Sequence, residues 1–213
     1  MRLHDALRLV GKSWRAWRGG MTRPTIFLVL VAALTSPTAC DSHQQLHGVM
    51  IEPPRDVAAF EFVLPSGETF RTAPEPKRPM LLFFGYTHCP DVCPTTMADW
   101  TRAKAKLGAK GARVRFVFVS VDPERDTPTI ADQYAKQFDA SFVGVSGNAA
   151  TTAGIMKAFG VSAAREPGVD ATHYFVGHSG STFLVDSKGR LVAMYPLGIG
   201  WDALVADLET LRW

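Results

Sequence analysis

A short stretch with two cysteines, Gly85 to Pro94, constrains the fold more than any other part of the chain. It follows an apolar run, Met80 to Phe84, and precedes a segment of helical character, Thr95 to Leu107. A strand that leads into a helix through a turn bounded by glycine and proline is a βα unit. Positions four apart on a helix differ by only about 40° of rotation, so Cys89 and Cys93 are expected on one side of the unit. Two such thiols can form a disulfide or bind a thiophilic metal.

The charges are unevenly distributed along the 213 residues, whose net charge is +3. Residues 1–23 contain six basic residues and one acidic residue, and the remainder has 17 basic residues against 19 acidic ones. The remainder therefore lacks the basic surface typical of nucleic-acid-binding domains, and we expect no nucleic-acid partner. With 46% hydrophobic residues, the chain suits one globular domain with an appended segment.

The appended segment, residues 1–40, has the organisation of a bacterial export signal. Its basic start leads into an apolar run of about ten residues, Thr25 to Leu34, and then into small residues that end at Cys40. The run is shorter than the about 20 apolar residues of a transmembrane helix. Cys40 stands where a lipoprotein signal places its lipidated cysteine, although Pro37 departs from the usual aliphatic residue. We expect a lipid anchor, rather than an uncleaved anchor or ordinary cleavage nearby.

This anchor is expected to attach the protein to the bacterial inner membrane, with its domain facing the periplasm or another extracytoplasmic space. Translation from Met1 or from Met21 would both supply a signal. Residues 41–56 are polar and interrupted by prolines, which predicts a flexible tether whose histidines, His43 and His47, are solvated. Residues 57–213 are then the folded domain.

The order of predicted elements is that of an α/β domain. Strand-like and helix-like patterns alternate, with a hairpin before the central strand and another hairpin plus a helix at the end. After the dithiol helix, the predicted strands are Arg113–Val121, Ser141–Val145, Thr182–Asp186 and Leu191–Tyr195, the helices are Thr129–Phe138, Ala149–Phe159 and Trp201–Leu211, and a loop covers Gly160–Ala171.

This alternation predicts a largely parallel sheet centre with added antiparallel strands, as in a thioredoxin-like fold with an N-terminal β-hairpin and a C-terminal β-hairpin plus helix. Only two of the three cysteines lie in the domain, so apolar packing and not a disulfide framework must stabilise it. The helix dipole is expected to lower the thiol pKa and to favour the thiolate at the start of the dithiol helix.

Three blocks of sequence together resemble the Sco/SenC family. They are Gly85–Pro94, Val121–Pro128 and Tyr174–Ser179, and the resemblance covers about residues 57–212. It implies a membrane-attached thioredoxin-like protein that binds copper. It also implies a metallochaperone that helps to assemble the dinuclear copper site of cytochrome c oxidase subunit II, or of another copper-receiving protein.

The resemblance also implies a ligand set, because the family's copper cysteines fall on Cys89 and Cys93 and its copper histidine falls on His178. The family usually has an acidic residue directly before that histidine, where this chain has Gly177. One copper ion per domain, as Cu(I) or Cu(II), is the expected cargo. Two thiolates and an imidazole form a soft site that suits copper and could also hold zinc.

Other candidate ligands are weaker on the sequence alone. His88 adjoins the first cysteine, but neighbouring residues in such a turn seldom reach the same ion, and His173 is a second reserve ligand. Met97 offers a thioether, yet a methionine at helical spacing is more often part of a core. Residues Asp122–Thr127 predict an Asp-Pro turn followed by a capped helix, with docking of a partner through Asp122 or Arg125 as the alternative.

The competing function is thiol–disulfide exchange without a metal, in which Cys89 and Cys93 form a redox-active pair that keeps target cysteines reduced. Exchange needs only the two thiols, whereas a metal site needs a third ligand such as His178. A peroxidase would need a threonine three residues before the reactive Cys93, and Pro90 occupies that position. A metallochaperone is not itself expected to be an enzyme, although exchange would be a catalytic activity.

Overall fold

A mixed six-stranded sheet forms the centre of the domain in the computed structural model, which describes residues 46–75, 78–168, 170 and 173–211. In spatial order its strands are β1 (Val49–Asp56), β10 (Arg190–Tyr195), β9 (Thr182–Val185), β4 (Met80–Gly85), β5 (Arg115–Ser120) and β6 (Val143–Val145). β4, β5 and β6 pair in parallel, whereas β9 pairs with β4 and β10, and β10 with β1, in the antiparallel sense. The predicted α/β class, with a parallel centre and an antiparallel C-terminal hairpin, is confirmed.

Four α-helices accompany this sheet within the described ranges. They are α1 (Val92–Leu107), α2 (Pro128–Phe138), α3 (Ala149–Phe159) and α4 (Trp201–Thr210). The predicted cap of α2 is confirmed, because the Thr127 hydroxyl accepts a hydrogen bond from the amide of Ile130 at 3.3 Å and Pro128 opens the helix. No helix of the described part of the chain combines the length and the apolar character needed to cross a membrane.

The central strand β4 is buried along its whole length, as its uninterrupted apolar sequence predicts. Its side chains alternate between two apolar clusters, one on each face of the sheet. The cluster that contains the buried face of α1 includes Leu81, Phe83, Trp100, Phe116 and Phe118, and the other includes Leu82, Phe84, Val117, Val119 and Phe159. Complete burial of one such side chain contributes about 1.5–3 kcal/mol, so α1 is firmly packed on the sheet.

Two further hairpins lie outside the main sheet. The predicted N-terminal hairpin is confirmed as β2 (Glu61–Val63) paired with β3 (Thr69–Arg71). The second pairs β7 (Ala163–Glu166) with β8 (Phe175–His178), and β7 falls within residues that the sequence analysis assigned to a loop. The strand β7 was missed because it is mostly exposed and carries no alternation of apolar and polar residues.

The prediction of a tether over residues 41–56 is wrong from residue 49 onward, because β1 pairs with β10 at the edge of the main sheet. Its side chains are largely exposed, so the strand lacks the apolar pattern that would identify it. Pro53 and Pro54 are tolerated because the strand is at an edge and its register shifts between Met50 and Arg55. Residues 1–45, which include the predicted signal, Cys40 and His43, lie outside the described residues.

His47 is hydrogen-bonded to the domain and does not belong to a free tether, although its side chain is exposed as expected. The buried carboxylate of Asp207, on α4, accepts hydrogen bonds from the backbone amide of His47 at 2.9 Å and that of Gly48 at 3.0 Å. The Nδ1 atom of His47 lies 2.8 Å from the same carboxylate. One side chain of α4 therefore holds the first described residues against the domain.

Replacing Asp207 by Ala removes the acceptor of these hydrogen bonds and leaves their donors without it. We expect a loss of about 1–3 kcal/mol in the free energy of unfolding, measured by urea denaturation. Amide exchange of residues 47–50 should also accelerate. Glu209→Ala, an exposed substitution on the same helix, is the control; equal stability of the two variants would contradict the assignment.

Candidate metal centre

The two domain cysteines lie at the start of α1, just beyond the end of β4. Cys93 is the second residue of the helix and is fully buried, whereas Cys89 lies in the preceding turn and is partly exposed. Both are free thiols, and the backbone amide of Cys93 lies 3.4 Å from Sγ of Cys89 as a hydrogen-bond donor. The structure therefore brings the two side chains together, as their spacing predicts.

His178, at the end of β8, directs its imidazole at this dithiol. Its Nε2 atom lies 3.8 Å from Sγ of Cys93, and its Nδ1 atom lies 2.9 Å from the carbonyl oxygen of Val176. Because a carbonyl only accepts hydrogen bonds, the proton belongs on Nδ1, and the lone pair of Nε2 faces the thiol. The ring also packs edge-on against Phe83 and Tyr86, with centroid distances of 6.3 and 5.6 Å. This histidine is oriented as metal-binding histidines generally are.

The donor pair has dimensions that fit a thiophilic ion. Zinc–sulfur and zinc–nitrogen bonds are about 2.3 and 2.0–2.1 Å long, so two such ligand atoms of one tetrahedral ion lie about 3.6 Å apart. This separation is close to the 3.8 Å between Sγ of Cys93 and Nε2 of His178. Within the described ranges, no group of three or more His, Cys, Asp and Glu side chains is already gathered into a metal-holding cluster. The structure thus contains a preformed pair of soft donors with Cys89 beside it.

Burial raises the pKa of the Cys93 thiol well above its ordinary value. The nearby Cys89 and Asp126 act in the same direction, whereas a backbone hydrogen bond with Tyr86 lowers the pKa and only partly offsets the effect of burial. The expectation that the helix end would favour a thiolate is therefore wrong for Cys93 in the metal-free protein. A bound cation would reverse this balance, because a coordinating thiol loses its proton.

The weaker candidates lie in other surroundings. His88 is exposed, with its Nδ1 atom 3.1 Å from the hydroxyl of Thr87. His173 is also exposed and pairs with the carboxylate of Asp170 at 2.8 Å. Met97 is completely buried in the apolar cluster below α1, as expected of a core methionine. Of the predicted histidine ligands, the structure places His178 against the dithiol.

Two glycines beside the site lie close to other side chains. A β-carbon at Gly85 would lie 2.7 Å from Sγ of Cys93 and 2.9 Å from the rings of Phe83 and Phe118. Only glycine permits this close approach of the strand to the thiol. A β-carbon at Gly177 would contact a carboxylate oxygen of Glu166 across the β7–β8 hairpin, but that oxygen ends an exposed, flexible side chain, so the contact does not require glycine. Glu166 therefore places a carboxylate beside the position where an acidic residue usually precedes the histidine in the family that the sequence resembles.

The aromatic surroundings of His178 were missed by the sequence analysis. Phe83 faces the α1 side of the sheet, which the alternation along β4 was sufficient to predict. Tyr86 lies beyond the end of that strand, where no local periodicity fixes the direction of a side chain. Its contact with His178 depends on the β7–β8 hairpin, which the sequence did not reveal.

Known proteins match this chain over most of the described domain. The model of the SCO1/SenC family matches residues 49–212. The chain belongs to the SCO1/SenC family. An SCO2-like protein of Rickettsia felis is 34% identical over 139 residues, which cover 65% of this chain and 68% of that relative. The sequence-based assignment to the family is thus confirmed.

Solved structures of family members have the same fold. The solution structure of apo Sco1 from Thermus thermophilus has a TM-score of 0.71 and 39% identity, and the match covers 80% of this chain and 99% of that one. Bradyrhizobium japonicum ScoI, with copper bound, has a TM-score of 0.65 and 34% identity, and the match covers 72% and 98%. The thioredoxin-like α/β fold is confirmed by these similarities.

The different surroundings of the two thiols predict different reactivities in the metal-free protein. Because the thiolate is the reactive form, burial and a raised pKa should make Cys93 react with iodoacetamide more slowly than Cys89 at pH 8. Each unit of pKa elevation removes about 90% of the thiolate, so we expect a rate ratio of at least about ten.

The single variants Cys89→Ser and Cys93→Ser, each with one domain thiol, allow the two rates to be measured separately by mass spectrometry. Labelling in denaturant is the control and should proceed at similar rates for both. Faster labelling of native Cys93 than of native Cys89 would contradict the described burial.

Proposed function

We propose that this protein is a copper-binding metallochaperone whose cargo ion is bound by Cys89, Cys93 and His178. The observation that carries the proposal is the orientation of His178, whose Nε2 atom faces Cys93 at 3.8 Å while Nδ1 is held by a backbone carbonyl. Thiol–disulfide exchange requires no such imidazole. Family membership and the copper-bound structure of the related ScoI support copper as the ion.

The proposed cargo is one copper ion, as Cu(I) or Cu(II), and the proposed recipient is the dinuclear site of cytochrome c oxidase subunit II or another copper-receiving protein, as the family resemblance implies. Cys93 is fully buried, whereas Cys89 and His178 are partly exposed. Ligands of a recipient would therefore approach from the side of Cys89 and His178. Cys93 would hold the ion from below until the other two donors are replaced.

The proposal predicts that His178→Ala lowers the affinity for Cu(II) much more than the affinity for Cu(I). The two thiols remain and suffice for Cu(I), which accepts two sulfur ligands, whereas Cu(II) favours nitrogen and a higher coordination number. The affinity for Cu(II) should fall by at least the 10–100-fold that is typical for loss of an outer-shell partner, and the maturation of oxidase should fall at low copper.

Chelator competition for each oxidation state measures these affinities. His173→Ala, which removes an exposed histidine paired with Asp170, is the matched control and should behave as the wild type. A Cys89→Ala, Cys93→Ala double variant should lose both forms of copper. Equal copper retention by that double variant and the wild type would overturn the proposal.

If the function is thiol–disulfide exchange, the expected effect of His178→Ala on oxidase maturation in the cell is the opposite. An exchange protein needs Cys89 and Cys93 but not the imidazole, so a strain with His178→Ala would mature oxidase normally at low copper. Such an outcome, together with rescue of a deletion strain by a small-molecule reductant and not by copper, would assign the function to exchange.

The proposal includes attachment of the protein to the outer face of the bacterial inner membrane through a lipid on Cys40. The support is the organisation of residues 1–40, with a basic start, an apolar run and small residues before the cysteine. A lipidated terminal cysteine carries several acyl chains, which is sufficient for durable anchoring.

Mass spectrometry of the mature protein tests this attachment. We expect a mature N-terminus at Cys40 with a mass increase that corresponds to the acyl chains, and release of the domain from membranes in a Cys40→Ser variant. A mature chain that begins elsewhere and carries no lipid would refute the attachment.

A further inference from the structure

The hairpin that carries His178 lies outside the main sheet, so something other than sheet pairing must hold it in place. Within the part of the chain that the structure describes, the strands β7 and β8 pair only with each other. An isolated two-stranded hairpin is marginally stable at best in water. Side-chain contacts that dock this hairpin therefore determine where the imidazole lies relative to the dithiol.

Arg125, in the turn after β5, makes several of these contacts. Its Nη1 atom donates a hydrogen bond to the carbonyl oxygen of Tyr174 at 2.9 Å, and its guanidinium lies 3.5 Å from the centre of the Tyr174 ring. Its Nε atom pairs with the carboxylate of Asp122, which also accepts a hydrogen bond from the Tyr174 hydroxyl at 2.8 Å. Tyr174 is thus held at its backbone, its ring and its hydroxyl.

Tyr174 precedes β8 directly and is four residues before His178. The intervening Val176 is buried, and its carbonyl oxygen holds Nδ1 of the imidazole. The guanidinium of Arg125 is also 5.7 Å from the centre of the Tyr86 ring, which packs edge-on against His178. Arg125 is therefore connected to the imidazole in two ways, through Tyr174 and Val176 and through Tyr86.

The same turn holds the loop that carries the cysteines. The fully buried carboxylate of Asp126 accepts hydrogen bonds from the Thr87 amide at 3.0 Å and from the Ser120 hydroxyl at 2.6 Å. Thr87 is two residues before Cys89. A single turn, Asp122 to Thr127, thus contacts both the loop that carries the cysteines and the hairpin that carries His178.

Burying these charges has a substantial energetic cost. The side chains of Asp122 and Arg125 are only 5% and 13% exposed, and desolvation of each ion costs several kcal/mol unless it is well paired. Apolar residues would pack equally well here, so packing alone does not explain the presence of these charges. A planar, charged group that binds a carbonyl, a carboxylate and an aromatic face at once is suited to fixing the relative positions of these groups.

We propose that Arg125 is a positioning residue for copper binding, which fixes His178 over the dithiol through Tyr174. The inference rests on the proposed function, since it assumes that His178 binds copper. Arg125 touches neither the thiols nor the imidazole in this proposal and acts only through the residues between.

The test is a double-mutant cycle in the full-length protein, with Cu(II) affinity measured by chelator competition. Arg125→Lys keeps the charge but loses the planar group that stacks and binds in several directions. In the wild-type background we expect it to weaken Cu(II) binding about tenfold, as is typical for an outer-shell partner of a metal ligand. In a His178→Ala background it should change the Cu(II) affinity by less than about twofold, because the ligand through which it acts is absent.

Two further measurements separate positioning from loss of stability. Cu(I) affinity, which the thiols supply, should change by less than about twofold in Arg125→Lys. The nitrogen coupling in the electron paramagnetic resonance spectrum of bound Cu(II) should weaken. Arg190→Lys is the matched control, because Arg190 pairs with Asp186 at 2.7 Å beside a hairpin turn elsewhere and should leave the copper measurements unchanged.

If Arg125→Lys does not fold, Tyr174→Phe takes its place in the cycle, since it removes only the hydroxyl that binds Asp122. Its Cu(II) affinity should also fall in the wild-type background and not in the His178→Ala background. Equal losses in both backgrounds, or unchanged Cu(II) affinity in the wild-type background, would overturn the positioning role. Failure of the wild type itself to bind copper would instead refute the proposed function.

Discussion

The close contact between Gly85 and Cys93 is the constraint on which the arrangement of the centre depends. The thiol of Cys93 occupies the space that a side chain at residue 85 would need. The backbone at the end of β4 therefore packs directly against this side chain at the start of α1. This contact places Cys93 inside the protein, next to Phe83 and below His178. The burial of the thiol follows from one position where only glycine fits, and this burial raises the pKa of the thiol.

The centre joins the main sheet to a hairpin that is paired separately from it. The cysteines follow β4, which is buried and paired on both sides, and ligand sites in such α/β sheets lie at the carboxyl ends of the strands. The histidine comes from a hairpin that is paired with no other strand of the described domain. The position of the nitrogen donor relative to the sulfur donors therefore depends on the side-chain contacts that dock this hairpin, among them those of Arg125 with Tyr174.

Sequence patterns predicted the parts of the fold that are governed by local chemistry. The apolar run of β4, the Thr127 cap and the two predicted hairpins follow from periodicity, capping and turn residues, and all are present. β1 and β7 were not predicted, because both are exposed and are held by backbone pairing to strands distant in sequence. The raised pKa of Cys93 was also missed, since burial depends on tertiary packing whereas the helix dipole is visible from the sequence.

The contact of His47 with Asp207 has a consequence for the reach of the domain. This contact lies ten residues before residue 57, so six residues, 41–46, lie between Cys40 and the point of attachment on α4. A fully extended segment of that length spans at most about 25 Å, whereas a tether that continued to residue 57 would span about 60 Å. With the proposed lipid on Cys40, this bound would keep Asp207 within about 25 Å of the acylated residue.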